Sequence, residues 1–182
     1  MGLDAGGMTA RERDFMVRVF VSACLLGERV RYNGDAATSP SPVLTKWLAE
    51  RRIVPFCPEL AGGLGVPRPP AEIQGEGGHA ILNGAARVVT VNGVDVTESF
   101  LQGARLAVDC ATTEGVGLAV LKDGSPSCGS GFIYDGSFSG VRISQQGVTA
   151  ALFEERGIRV FSEQQLEAAA VYLDELEREP RS

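Results

Sequence analysis

Short β-rich runs alternate along this chain with longer segments of helical character. Met16 to Val21 reads Met-Val-Arg-Val-Phe-Val and predicts a first strand. Arg31-Tyr32-Asn33-Gly34-Asp35 is turn-forming. Ser41 then predicts an N-cap and Pro42 the first residue of a helix reaching about Arg52, followed by a second strand over Ile53 to Phe56. Strand, crossover helix and strand together are the unit of a parallel sheet. Gly117 to Leu121 and Ile158 to Phe161 extend that sheet. Between them the pattern predicts a helix capped by Thr97 and ending near Glu114, and another from Val148 to a C-cap at Gly157. Ser162 with Gln165 forms a capping box for a terminal helix. Asn92-Gly93 marks a hairpin within Ala86 to Thr97, and Asp135-Gly136 or Ser139-Gly140 a second within Phe132 to Ile143. Residues 58 to 86 carry little regular pattern and much Gly and Pro, and an irregular stretch of that length in a compact domain points to function. The architecture expected is a single α/β domain over residues 15–182, preceded by a disordered leader over residues 1–14. Its sheet is mainly parallel and Rossmann-like, flanked by helices, with one or two β-hairpins.

Composition narrows the setting. A chain of 182 residues, 44% hydrophobic and 22% charged, fits one domain with its own core. Met1 to Asp14 is polar and Gly-rich, without the apolar segment of a signal peptide, and no run approaches the ~18 apolar residues of a membrane span. Four cysteines are too few for a disulfide scaffold, so reduced thiols in a cytoplasmic protein are expected. In that setting cysteines are metal-binding, catalytic or buried. A net charge of -6 disfavours tight binding to nucleic acid and suits a small neutral or cationic substrate, although Arg29, Arg31 and Arg68 fall near the cysteine loops.

Three of those cysteines stand just beyond predicted strands, each in a short turn. They are Cys24 in Ser22-Ala23-Cys24-Leu25, Cys57 in Phe56-Cys57-Pro58-Glu59, and Cys128 in Gly124-Ser125-Pro126-Ser127-Cys128-Gly129. Carboxyl ends of neighbouring parallel strands lie side by side, so these thiols are expected to converge. Three thiolates without a fourth protein ligand leave an open coordination position. On zinc that position holds another ligand or water, and on an iron–sulfur cluster it leaves one iron free for a substrate. The chain has no C-x-x-C pair, and Gly62-Gly63-Leu64-Gly65 lacks the spacing of a dinucleotide fingerprint. Glu59 would bring a carboxylate beside Cys57, and Ser125 and Ser127 could form a donor-rich nest with the glycine amides. Cys110, inside a predicted helix, is expected to pack, and His79, the sole histidine, is expected in an exposed loop. A hydrolase triad would rest on that one histidine.

The same stretches resemble a bacterial family long labelled a domain of unknown function, which includes 2-thiouracil desulfurase. The resemblance runs from Val19 to about Phe161 and rests on Val21 to Gly27, Arg31-Tyr32-Asn33-Gly34, Cys57-Pro58-Glu59, Pro67 to Ile73, Lys122 to Gly129 and Ile133 to Gly136. It implies a 4Fe–4S cluster held by Cys24, Cys57 and Cys128, with one iron open to the sulfur of a thiolated pyrimidine such as 2-thiouracil or a thiouridine. The reaction implied is a non-redox, hydrolytic desulfuration that releases sulfide. Glu59 and Ser125 match the family's acid/base glutamate and active-site serine. Ser22 and Asn33, within the matched stretches, join Ser127 as candidate substrate-binding residues. The competing expectations are a non-catalytic protein that binds or carries metal or sulfur, and a small-ligand binder whose cysteines only pack.

Overall fold

The structure, a computed structural model, describes residues 16–178, so the expected leader lies outside the described residues. Four strands form one wholly parallel sheet: β1 (Arg18–Ser22), β2 (Ile53–Phe56), β5 (Val116–Leu121) and β8 (Arg159–Ser162), in the order β2-β1-β5-β8. Both faces are covered, which is why the central strands are near-continuous apolar runs. Period-two alternation divides their side chains between two cores. Phe20, Val54, Ala119 and Leu121 face one core, built with α4 (Thr97–Thr113) and α5 (Val148–Glu155). Val19, Val21, Leu118 and Val120 face the other, filled by Leu44 and Trp47 of α1 (Pro42–Ala49) and by Leu166 and Leu173 of α6 (Leu166–Arg178).

From β1 the chain crosses through α1 to β2 on one side, and later returns to place β5 on the other. The order therefore reverses between β1 and β5. Open α/β sheets bind ligands outside the carboxyl ends of the strands at such a switch point.

Several local expectations change. The first helix stops at Ala49, because Arg51 adopts φ 57 and turns the chain into β2. Its start is as expected, with Ser41 Oγ accepting from Val43 N at 3.1 Å. Thr97 does not cap α4 but is its first residue: Asp95 Oδ1 accepts from its N–H at 2.9 Å, and Thr97 Oγ1 accepts from Val88 N at 2.9 Å. Residues 58 to 86 are only partly irregular. They hold α2 (Pro58–Ala61), β3 (Ala71–Gln74) and α3 (Gly77–Leu82), elements too short to show a period. His79 therefore sits in a short helix, exposed and 3.1 Å from Glu155. The Asn92-Gly93 turn folds the chain back on β4 (Arg87–Thr90) through the Val89–Asp95 bridge and the bonds Thr90 N to Val94 O and Val96 N to Val88 O, while the other edge of β4 pairs with β3. The later hairpin is present as β6 (Ile133–Tyr134) and β7 (Arg142–Ile143). Among the described residues no helix is long and apolar enough to cross a membrane.

Candidate active site at the carboxyl edge of the sheet

Each of the three strand-end cysteines is presented by a different local device. Beyond β1 the chain tightens into a 3-10 turn over Ala23–Leu26, closed by Gly27 in the left-handed region, and Cys24 lies inside it, 8% exposed. Beyond β2, Cys57 takes the N-cap position of α2 with Pro58 in the first turn. That helix lies against α4 at contact distance: a Cβ at Gly103 would fall 2.0 Å from the Pro58 carbonyl oxygen, so only glycine permits the approach.

Beyond β5 the loop is the most heavily tied of the three. Ser125 Oγ accepts from the N–H groups of Ser127 and Cys128 at 3.0 and 3.1 Å. Asp123 Oδ1 accepts from Ser130 N and Gly131 N, both at 2.8 Å. Ser127 Oγ pairs with Thr149 Oγ1 at 2.8 Å. Gly147 must lack a side chain, since a Cβ there would meet the Ser127 carbonyl oxygen at 2.4 Å. Lys122 N donates to Ser22 Oγ at 3.1 Å, tying the ends of β1 and β5 together.

All three cysteines line one cavity of about 650 Å³, within the range of small-molecule sites. Glu59, Ser125 and Ser22 line it too. Two of the candidate residues stand elsewhere. Asn33 is exposed and bonds to Asp35, and Ser127 is buried against Thr149 behind the wall. Cys110 lies away from the cavity, partly buried against the core on the α4 side.

The carboxylate of Glu59 is held from both sides. Arg68 donates to its Oε2 from Nε at 2.9 Å and from Nη2 at 2.5 Å, a two-pronged charge-assisted contact with both side chains largely buried. Arg68 is itself anchored on the carbonyls of Val30 and Gly65. On the other oxygen, Glu59 Oε1 accepts from Ser125 Oγ at 3.1 Å. Because Ser125 Oγ already accepts from two amides, its own proton is directed at Glu59. Arg68 and Asp123 were not among the candidate residues. Arg68 is separated from its partner by a helix and a loop, and nothing in the local sequence pairs them.

The thiols are held protonated by their surroundings. Burial, and then the neighbouring Cys57, push Cys24 from 9.0 up to about 11, against the opposing charges of Arg31 and Lys122. Burial raises Cys128 further still, with the Ser22 hydroxyl pulling the other way. Cys57 is raised by burial too, with the Leu60 amide opposing. Soft ligands in such a state bind a metal by exchanging protons for it. All four cysteines are free of disulfides. Among the described residues, no group of three or more His, Cys, Asp or Glu is arranged to hold a metal ion. The three thiols nevertheless line one cavity and act on one another electrostatically, and such soft donors are the ligand type of zinc and of iron–sulfur clusters.

A parallel α/β sheet with free thiols and a clamped carboxylate at its switch point defines a small-molecule enzyme site rather than a scaffold. The 2-thiouracil desulfurase family model matches residues 19–165, and the chain belongs to that enzyme family. It is 48% identical over 148 residues to YbbK of Bacillus subtilis (strain 168), a protein described as uncharacterized, covering 81% of this chain and 97% of the relative. The [4Fe-4S]-dependent thiouracil desulfidase TudS has a solved structure that superposes with a TM-score of 0.80 at 49% identity, covering 87% of this chain and 98% of that one.

Proposed function

We propose that this chain hydrolyses the carbon–sulfur bond of a thiolated pyrimidine, 2-thiouracil or a thiouridine, with a 4Fe–4S cluster held by Cys24, Cys57 and Cys128. The observation that carries this reading is that those thiols and the Glu59–Ser125 pair open into one cavity. The reaction balances without an oxidant: a thiocarbonyl and water give a carbonyl and hydrogen sulfide. A cluster held by these three thiols would supply Lewis-acidic iron suited to soft sulfur.

The protein's own groups supply the proton handling. Glu59 is the candidate base for the attacking water, because its carboxylate reaches the cavity while Arg68 fixes its direction. Ser125 is the candidate partner: its hydroxyl donates a hydrogen bond that orients the Glu59 carboxylate, and it turns to the ring's polar edge once that carboxylate has taken the proton of the attacking water. Ser22 lines the cavity next to Cys128 and bounds the space left to the substrate. No step calls on Asn33 or Ser127, which stabilise the turn at Asp35 and the Cys128 loop respectively.

The test is an anaerobic one. The protein, purified without air, is expected to carry iron and sulfide with visible absorption, and to release sulfide from 2-thiouracil. Cys57→Ser is expected to lose both. A protein that binds zinc alone and leaves 2-thiouracil and thiouridine intact after cluster reconstitution would overturn the reading.

A further inference from the structure

The connection between β6 and β7 crosses the rim of the cavity beside β3, and it is fastened in an unusual way. Glu72 of β3 turns its carboxylate towards it, and the single oxygen Oε2 accepts from both Gly136 N at 2.9 Å and Phe138 N at 3.0 Å. Between these amides the backbone is further ordered by Asp135, whose Oδ1 accepts from Ser137 N at 3.0 Å. Phe138 itself has φ 57, in the left-handed region that a bulky side chain seldom enters. Such a conformation persists only where the surroundings over-determine it. Here the Glu72 carboxylate holds the Phe138 amide itself, while Gly136 seats the loop on β3, where a Cβ would fall 2.5 Å from the Ile73 carbonyl oxygen.

The hydrophobic core does not explain the strain. Phe138 belongs to neither core and is not among the partly buried residues packed against them. It does line the cavity that holds the three thiols, as do Glu72 and Tyr134. An aromatic ring held in an unfavourable backbone conformation on a cavity wall has its natural complement in a flat heteroaromatic ligand.

We propose that Phe138 is a substrate-positioning residue whose ring packs on the pyrimidine, and that Glu72 is the latch holding it in place through the backbone. This rests on the proposed function for the identity of the base. The two residues move no proton and touch no reacting bond, so their signature lies in binding rather than in the chemical step.

The experiment compares wild type with Phe138→Gly, Phe138→Tyr and Glu72→Gln as cluster-loaded proteins, with iron, sulfide and melting temperature measured on each. Phe138→Gly removes the ring while relieving the backbone, so it is expected to keep the fold. It is expected to raise KM for 2-thiouracil about tenfold with kcat within about twofold, the size of one lost base–aromatic contact. Phe138→Tyr restores the wild-type KM, and Glu72→Gln raises KM about threefold, the loosened latch holding the ring less well. Uracil, the desulfurated base, titrated into each protein by calorimetry gives the same ranking without turnover. An unchanged KM and unchanged uracil affinity in Phe138→Gly overturn the proposal. Should Phe138→Gly fail to fold, an unchanged KM and uracil affinity in Glu72→Gln overturn it. A wild type inert towards 2-thiouracil refutes the proposed substrate instead, and uracil affinity that still falls in Phe138→Gly then keeps the positioning role.

Discussion

The inner and outer walls of the cavity are built on different principles. The inner wall carries Cys24, Cys57, Cys128, Glu59 and Ser125, all just beyond strand ends, with Ser125 fixed by two amides and Glu59 by Arg68 and Ser125. The outer wall is partly exposed, with Tyr32, Val91 and Val94 at its rim. Its β6–β7 connection is fastened to β3 through one carboxylate oxygen of Glu72, which accepts two amides, and otherwise through bonds within the turn itself. Groups that must meet a cluster and a water need fixed geometry, because small misplacements cost rate steeply. Groups that only receive a flat ring can be held more loosely. Substitutions on the two walls should therefore separate into losses of rate and losses of affinity.

The largest separation is expected at Glu59. Glu59→Gln preserves shape but removes the base, and kcat for sulfide release is expected to fall by about 10²–10⁴, with cluster iron retained. Ser125→Ala is expected to lower kcat too, and in addition to destabilise the fold by about 1–3 kcal/mol, since the Ser127 and Cys128 amides lose their acceptor. Steady-state kinetics beside chemical denaturation distinguishes the two. Equal KM-only effects at both positions would place Glu59 and Ser125 on the substrate-binding side of the comparison.

Asp123 tests whether the Cys128 loop is rigid because of its side-chain ties. Asp123→Ala strands the amides of Ser130 and Gly131, both bonded to one oxygen of a carboxylate only 8% exposed. A loss of about 1–3 kcal/mol in unfolding free energy is expected. Slower cluster incorporation should accompany it, followed by the growth of visible absorption on reconstitution. Normal stability and loading would mean that the backbone packing at Gly147 suffices.

The part of this inner wall that is legible in the sequence is the part that local rules govern. Gly and Pro punctuation marks where strands stop, and it placed Cys24, Cys57 and Cys128 at one edge while leaving Cys110 in a helix. The parallel sheet was readable for the same reason: runs such as Val19-Phe20-Val21 are buried on both faces and show it in composition. What joins the elements was not readable. The Arg68–Glu59 clamp, the Asp123 tie and the Glu72 latch link residues whose proximity is decided by tertiary packing. Ser127 illustrates the converse: its place beside Cys128 suggests a substrate contact, but the start of α5 brings Thr149 to it and turns the hydroxyl inwards. The two short helices in residues 58–86 span little more than one turn and so show no helical period, and the alternation of Ala71-Glu72-Ile73-Gln74 rests on two apolar positions between Pro and Gly.

The protonated thiols make a prediction for the cluster-free protein under reducing conditions. Cys24 ionises near 9.0 in the unfolded chain and at about 11 in the folded one, where burial disfavours the thiolate. A raised folded value means that the stabilisation is complete below the unfolded value and is lost as pH rises through the folded one. Unfolding free energy should thus fall between about pH 9 and pH 11 by about 2 kcal/mol from Cys24 alone. The raised Cys57 and Cys128 act in the same direction. Denaturation at stepped pH measures the slope, and Cys24→Ala should flatten it. A slope unchanged by that substitution would show that Cys24 does not carry the effect.

The smallest effect is expected at Cys110, and its smallness is informative. This thiol shares its chemistry with the other three, and burial raises it as well. It differs only in place, on α4, packed against the core and absent from the cavity wall. If position at the sheet edge confers function, Cys110→Ala should leave iron content, kcat and KM unchanged and cost about 1 kcal/mol or less in stability. Cys24, Cys57 and Cys128 should each abolish cluster binding under the same substitution. Loss of iron in Cys110→Ala would mean that helix α4 feeds the site through its packing, since Gly103 on the same helix meets the Pro58 carbonyl next to Cys57. Iron content measured beside the melting temperature separates that indirect route from simple unfolding, because only the indirect route removes iron from a protein that still melts normally.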